Sequence, residues 1–384
     1  MGGGEGERER WARAWLSAVG EPGDGFMYRL VAQEGAVGAV EAVRRGCVPD
    51  GLGISERRLD GWRMRVAAAD PDAAMFICEQ VGGRLLCPGD LEWPSTLGHL
   101  REAAPIALWV RGGPDLRQIC LRSVSVVGAR LASPYGERVA QELGAEMAEQ
   151  GWTVVSGAAL GIDAAAHRGC LAAEGLTVAV LANGIDLAYP PRNSGLLAEI
   201  AARGLIVSEW PPGTHPTRPR FLVRNRVIAA LTTGTVVVEA DLRSGALNTA
   251  NHARSLGRHL MAYPGNVTSL MSRGCHDLLR STPPARLVTN STEVIEEVGR
   301  IGEGLTRPDR PTYPRDTLDP DSRQVLEAVP ATGGGATPME IATAASVDLI
   351  TARSRLSLLH AMNFIERTRT GWRLRKAPPG HPQP

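Results

Sequence analysis

Four arginines, an asparagine and a phenylalanine fall within the run Arg218-Pro219-Arg220-Phe221-Leu222-Val223-Arg224-Asn225-Arg226. The run follows the proline-rich loop Trp210 to Thr217 and continues into the apolar helical pattern Val227 to Leu231. A guanidinium is a planar fork of N–H donors that matches phosphate oxygens, and a neighbouring aromatic ring offers a face for a nucleobase. The plainer reading of the same residues is a capped helix whose arginines face water. Which reading holds depends on what converges with them.

Four small-residue turns are candidates to converge: Gly128-Ala129-Arg130, Ser156-Gly157 through Gly161-Ile162-Asp163, Asn183-Gly184, and Ser244-Gly245 through Thr249-Ala250. Glycine lets backbone N–H groups approach a ligand, and a helix N-terminus adds the positive end of its dipole, so phosphate is the natural guest. One phosphate accounts for the glycines. A row of arginines beside Phe221 suggests several phosphates in one strand.

The elements that must position these turns read clearly. Strands are expected at 123–127, 152–155, 177–181, 205–208, 235–239 and 259–263, alternating with helical patterns. Ser133-Pro134 supplies an N-cap and first-turn proline for one helix, and Gly151, Gly175 and Gly204 stop successive ones. Near-continuous apolar strands alternating with helices predict an α/β fold with an extended, Rossmann-like doubly wound parallel sheet covered on both faces. Ligands then sit beyond the carboxyl ends of the strands. Short strands near 82–86 and 106–110 should extend that layer.

The flanks differ in character. Residues 1–75 read as a small helical module, in which Gly35, Gly38 and Gly46 are helix stops or hairpin turns gripping a DNA backbone. Residues 76–298 hold the sheet, and 299–318 form a proline-spaced charged linker. Residues 319–384 carry a helix, the helix start Thr337-Pro338-Met339-Glu340, a further helix 349–362 with Arg353 and Arg355, and a hairpin-like wing around Arg367 to Gly371, which together suggest a winged helix.

Bulk properties narrow the function. A chain of 384 residues with 43% hydrophobic content buries a full core, and its net charge of +1 means that nucleic-acid binding must rest on a local patch. Apart from Lys376 every basic residue other than histidine is arginine, a bias that a GC-rich genome also produces. The six cysteines form no CxxC pair and read as reduced thiols. No apolar run reaches the ~18 residues of a membrane span, and Met1 to Arg10 does not resemble a signal peptide, so a cytoplasmic location without membrane contact is expected.

The motifs Gly128-Ala129-Arg130, Ser156-Gly157 with Gly161-Ile162-Asp163 and His167, Tyr189-Pro190 with Asn193, Ser208-Glu209 with Pro211-Pro212-Gly213, Phe221 with Arg224-Asn225-Arg226, Ser244-Gly245 with Thr249-Ala250, and Pro264-Gly265 resemble, in order and spacing, the DNA-processing protein A (DprA, Smf) family. That resemblance covers roughly residues 81 to 298. It implies a single-stranded DNA-binding recombination mediator that forms homodimers, protects incoming DNA and loads the RecA recombinase during natural transformation. The residues it places against DNA are Gly128, Arg130, Ser156, Gly157, Arg218, Arg220, Phe221, Arg224, Asn225, Arg226, Ser244, Gly245 and Thr249. Ala129, Leu160 and Ala182 depart from the family pattern of serine, arginine and glycine at those positions, which implies one donor and one charge fewer. The helical first module resembles the helix-hairpin-helix or sterile-alpha-motif-like domain of many relatives, and the last resembles their winged helix.

Catalysis finds little support. The histidines do not fall into HExxH or a zinc spacing, Ser156 lacks the GxSxG elbow, and the chain has no GxxxxGK[ST], so neither a metal nor a cofactor is expected. Asp163 and His167, four residues apart, are either a helix-capping acid and a packing histidine or a functional pair. Two alternatives stay open: an enzyme acting on a nucleotide or nucleotide-sugar, using Glu239 or Asp241 at a strand end, and a transcriptional regulator led by the C-terminal module.

Overall fold

The computed structural model describes residues 3–49, 51–300 and 318–375. These fall into two compact units, Met1–Leu305 and Thr306–Pro384. Most of the expected linker 299–318 lies outside the described residues.

The first unit begins with four helices, α1 (Gly3–Val19), α2 (Gly25–Arg45), α3 (Glu56–Val66) and α4 (Pro71–Gln80). Asp24 and Asp70 cap α2 and α4 by accepting from the N–H groups of Phe26 and Ala73. Gly46 stops α2 at φ 68°, a left-handed value that glycine adopts without strain, so the helix-stop reading holds there. Trp15, Leu16, Met27, Leu30, Val40 and Trp62 close a core of their own. Strand β1 (Gly83–Leu86), a 3₁₀ segment (Ser95–Ala103) and β2 (Leu108–Arg111) follow. Arg10 donates to the Leu85 carbonyl at 2.7 Å and Arg13 to that of Ile106 at 2.7 Å, pinning α1 to this edge of the sheet.

The chain then alternates: α5 (Leu116–Cys120), β3 (Ser123–Val127), α6 (Pro134–Glu149), β4 (Thr153–Ser156), α7 (Ile162–Ala172), β5 (Thr177–Leu181), α8 (Ser194–Arg203), β6 (Leu205–Ser208), α9 (Arg218–Leu231), β7 (Gly234–Val237), α10 (Gly245–Ser255), β8 (His259–Ala262), α11 (Arg273–Arg280), β9 (Arg286–Leu287) and α12 (Ser291–Val298). One sheet runs β1-β2-β6-β5-β4-β3-β7-β8-β9. From β6 to β9 all pairings are parallel, as the strand–helix alternation requires. The doubly wound parallel sheet carries an antiparallel edge, where β2 lies antiparallel to both β1 and β6. Between β1 and β2 there is only the 3₁₀ segment, with no packed crossover helix to reverse the chain.

Alternate strand residues serve opposite faces. Val127, Val155, Val178, Val180, Val207 and Val237 pack with α9 and α10, whereas Val124, Val126, Val154 and Val236 pack with α6 and α7. The sheet is covered on both sides.

The second unit holds α13 (Pro320–Ala328), α14 (Pro338–Ala344), α15 (Leu349–Ala361) and the antiparallel hairpin β10 (Ile365–Arg367) and β11 (Trp372–Leu374). Val325, Ile341, Leu356, Leu359 and Ile365 form its core. Thr337 and Glu340 cap α14 reciprocally. Arg355 is drawn into ion pairs with Asp319 (3.4 Å) and Asp321 (3.3 Å), while Arg353 stays exposed.

Candidate nucleic-acid interface

The strand order reverses between β3 and β7: the chain moves outward through β4, β5 and β6, then returns to place β7 on the other side of β3. Beyond the carboxyl ends of those two strands lies an open cleft of about 610 Å³, within the size of small-molecule sites at about 300–1,000 Å³. Its lining includes the turn after β3 with Gly128 and Arg130, Ala159 and Asp163 at the start of α7, the first turns of α9 with Arg218, Phe221, Arg224 and Asn225, and the start of α10 with Ser244, Gly245 and Thr249. The turns at Gly128 and Ser244-Gly245 therefore meet the arginine run in one place, whereas Asn183-Gly184 lies against Pro211 and Pro212 and does not line the cleft.

Its floor is built from buried polar groups. Arg224, only 4% exposed, donates to the carbonyls of Gly157 (3.0 Å) and Val180 and to Oδ1 of Asn225 (3.1 Å). Asn225 in turn donates to the Gly245 carbonyl at 3.2 Å and to Asn248 at 3.3 Å, which ties α9 to the first turn of α10. Burial lowers the Arg224 pKa to about 10; the carboxylate of Asp163 opposes that shift and Arg130 adds to it. The guanidinium remains charged at neutral pH. Gly157 must be glycine because a Cβ there would come within 2.4 Å of this guanidinium. At Gly128 a Cβ would lie 2.5 Å from Ile162.

The rim is different. Arg130, Arg218 and Arg243 are exposed, and none makes a hydrogen bond or ion pair among the described residues. The Arg130 guanidinium lies over the Phe221 ring at 4.7 Å, and Tyr189 meets that ring at 5.7 Å. Asp163, buried beneath, and Asp241 are the acids that line the cleft against its four arginines. The local field is positive although the chain is nearly neutral.

Four expected contact residues are elsewhere. Arg226 forms a two-pronged pair with Glu209 at 2.5 and 2.7 Å, both side chains 5% exposed, and donates to the Ala103 carbonyl. Helical geometry turns it about 200° from Arg224, away from the cleft. Arg220 reaches Glu21, in the loop between α1 and α2, at 3.3 Å and donates to the His215 carbonyl, in a separate groove beside Trp210. Ser156 is wholly buried and donates to the Val126 carbonyl at 2.6 Å. Gly157 lies buried under Arg224. Conversely, Arg243 was missed; its signal was an arginine in the turn after β7, directly before the Ser244-Gly245 helix start.

Of the two candidate catalytic carboxylates, Asp241 lines the cleft and Glu239 is occupied. Glu239, 2% exposed, accepts from the N–H (2.9 Å) and hydroxyl (2.6 Å) of Ser133, so its carboxylate sits against the N-terminus of α6. Asp163 accepts from the N–H groups of Gly157 (3.1 Å) and Ala159 (3.4 Å), and burial raises its pKa against the opposing charge of Arg224. Thr177 donates to the Val154 carbonyl, so His167 Nδ1 donates to the Thr177 hydroxyl at 2.7 Å. Burial, reinforced by Arg224 and Arg168, drops the His167 pKa to about 3. Asp163 lies in the first turn of α7, whose N-cap Gly161 has no side-chain cap bond, so it braces the turn before the helix rather than capping it, while His167 is packed in the interior. Five of the six cysteines are buried with raised pKa values, Cys120 and Cys275 to about 12, so those thiols stay protonated. Among the described residues no group of histidines, cysteines and acids could hold a metal ion, and no helix is long and apolar enough to cross a membrane.

Comparison with known proteins places this cleft in context. Residues 84–299 match the family model described as DNA recombination-mediator protein A. A DprA-named protein of Mycobacterium tuberculosis is 43% identical over 385 residues, covering 96% of each chain. The crystal structure of DNA processing protein A from Streptococcus pneumoniae superposes with a TM-score of 0.64 at 29% identity, over 76% of this chain and 98% of that one. DNA processing protein A of Helicobacter pylori, whose structure was described for its single-stranded DNA binding mode, aligns with a TM-score of 0.50 at 28% identity, over 56% of this chain and 94% of that one.

Proposed function

This chain belongs to the DNA recombination-mediator protein A family, and on that premise we propose that it binds single-stranded DNA in the cleft at the β3–β7 switch point. The observation that carries the reading is the set of three exposed arginines without a hydrogen bond or ion pair among the described residues, Arg130, Arg218 and Arg243, around the Phe221 ring and above a hydrogen-bonded Arg224 floor. Exposed guanidinium groups take phosphates, and the ring takes a base face that duplex DNA would hide. Gly128, Asn225, Ser244, Gly245 and Thr249 complete the proposed surface, with the start of α10 adding backbone donors.

The further role is loading of the RecA recombinase onto that strand, by a cytoplasmic homodimer, during DNA uptake. The helical module at 1–75, the sheet domain at 76–298 and a winged helix at 319–384, reached through the segment 299–318, are the proposed layout. A nucleotide-processing enzyme at the same edge is the weaker alternative, because Glu239 is spent on Ser133 and of the two candidate carboxylates only Asp241 lines the cleft. Purified protein is expected to shift single-stranded oligonucleotides at concentrations that leave duplex unbound, and to promote strand invasion when RecA and homologous duplex are added. Phe221→Ala should cost about 1–3 kcal/mol of single-strand affinity, and Arg218→Ala should lower the salt slope by about 1. Equal binding of duplex and single strand, or unchanged binding by both variants, would refute the reading.

A further inference from the structure

A second cleft, of about 660 Å³, opens between the 3₁₀ segment and the far half of α10. Its polar lining is His99, Arg101, Arg226, His252 and Ser255, and no carboxylate lines it. Glu209 neutralises Arg226 from behind, and Glu102, next in sequence to Arg101, is held by Arg29 at 2.5 Å. Arg101 is exposed, makes no hydrogen bond or ion pair among the described residues, and sits at φ 53°, ψ −126°. A non-glycine residue held in that region is strained, and here the strain sets an unpaired cation on the cleft wall. Arg258 donates to His99 Nδ1 at 3.1 Å, which fixes the ring proton on Nε2 and leaves that nitrogen a donor.

We propose that this second cleft is a phosphodiester site that takes the backbone of a single strand as it leaves the first. The inference rests on the single-strand reading of the first cleft. Helix α10 links the two: its start, Gly245 to Thr249, lines the first, and His252 and Ser255 near its end line the second. Ten residues of helix span ~15 Å, and neighbouring phosphates of one strand lie ~3.4 Å apart along a duplex and further apart when extended, so a few nucleotides bridge them. The second cleft offers donors and charge but no exposed aromatic ring, which suits the sequence-independent backbone rather than a base.

The test measures anisotropy of labelled oligothymidylates of about 2 nucleotides, too short to bridge the ~15 Å between the clefts, and of about 20 nucleotides, with the full chain. Arg101→Ala/His252→Ala should weaken the longer strand roughly tenfold, lower its salt slope by about 1, and leave the shorter strand unchanged. Phe221→Ala should weaken both. Because His252 is half-buried, the single exposed variant Arg101→Glu settles the matter if the double variant melts early. Pyrophosphate at matched ionic strength should not remove the advantage of the longer strand; if it does, the cleft is a free-phosphate site and the proposal falls. Equal losses for both lengths, or none, overturn the second cleft while the first stands. Failure of the unmodified protein to bind either length overturns both.

Discussion

Arg224 and Arg226 stand two residues apart on one helix with Arg218 at its start, yet they do different work. The first two are buried and hydrogen-bonded to other elements; Arg218, with Arg130 and Arg243, is exposed and makes no hydrogen bond or ion pair among the described residues. A buried guanidinium is expensive to desolvate and persists only where its fork is filled, so it shapes the backbone around it. An exposed one loses little on folding and keeps its donors for a ligand. The lesson is that the buried arginines brace the fold, Arg224 beneath the cleft and Arg226 away from it, and the exposed ones keep their donors free.

That division is open to attack, most strongly at Arg226. Arg226→Ala strands the Glu209 carboxylate in the interior and is expected to cost about 3–5 kcal/mol in chemical denaturation. An Arg226→Met/Glu209→Leu double variant should recover most of that loss. A fully stable Arg226→Ala protein would erase the distinction.

The next effect is one of pH. His167, whose folded pKa is lowered to about 3 in part by Arg224, is buried neutral, whereas the unfolded chain binds its proton near 6.5. The unfolded state thus holds more protons across that window, and stability should fall as pH drops below ~6.5, by up to about 1.4 kcal/mol per pH unit from this group. His167→Gln should flatten that slope in acid titrations of the denaturation midpoint, and Arg218→Ala should leave it untouched.

The smallest effect sharpens the other side. Arg130→Ala removes a guanidinium from above Phe221 and one phosphate contact, so about 1 kcal/mol of single-strand affinity should go with no change in melting temperature. A drop in stability instead would move Arg130 into the buried class.

Much of the frame was legible because it is locally encoded. The strands at Ser123–Val127, Thr177–Leu181 and Leu205–Ser208 and the Ser133-Pro134 helix start coincide with their sequence signals. β-branched runs, caps and stops act over a few residues. The two-residue strand β9 and the antiparallel edge at β2 were not legible, since each is defined by a neighbour distant in the chain.

By itself the sequence determined which residue types could meet at the sheet's carboxyl edge: the turns, the arginines and the single aromatic. Only the tertiary structure decided which arginines would be left over. That choice turns on whether an acid or carbonyl from another element comes within hydrogen-bond reach. Glu209 does for Arg226, the Gly157 carbonyl does for Arg224, and nothing among the described residues does for Arg218. A long side chain carries no local signal of its partner, because the partner is supplied by packing.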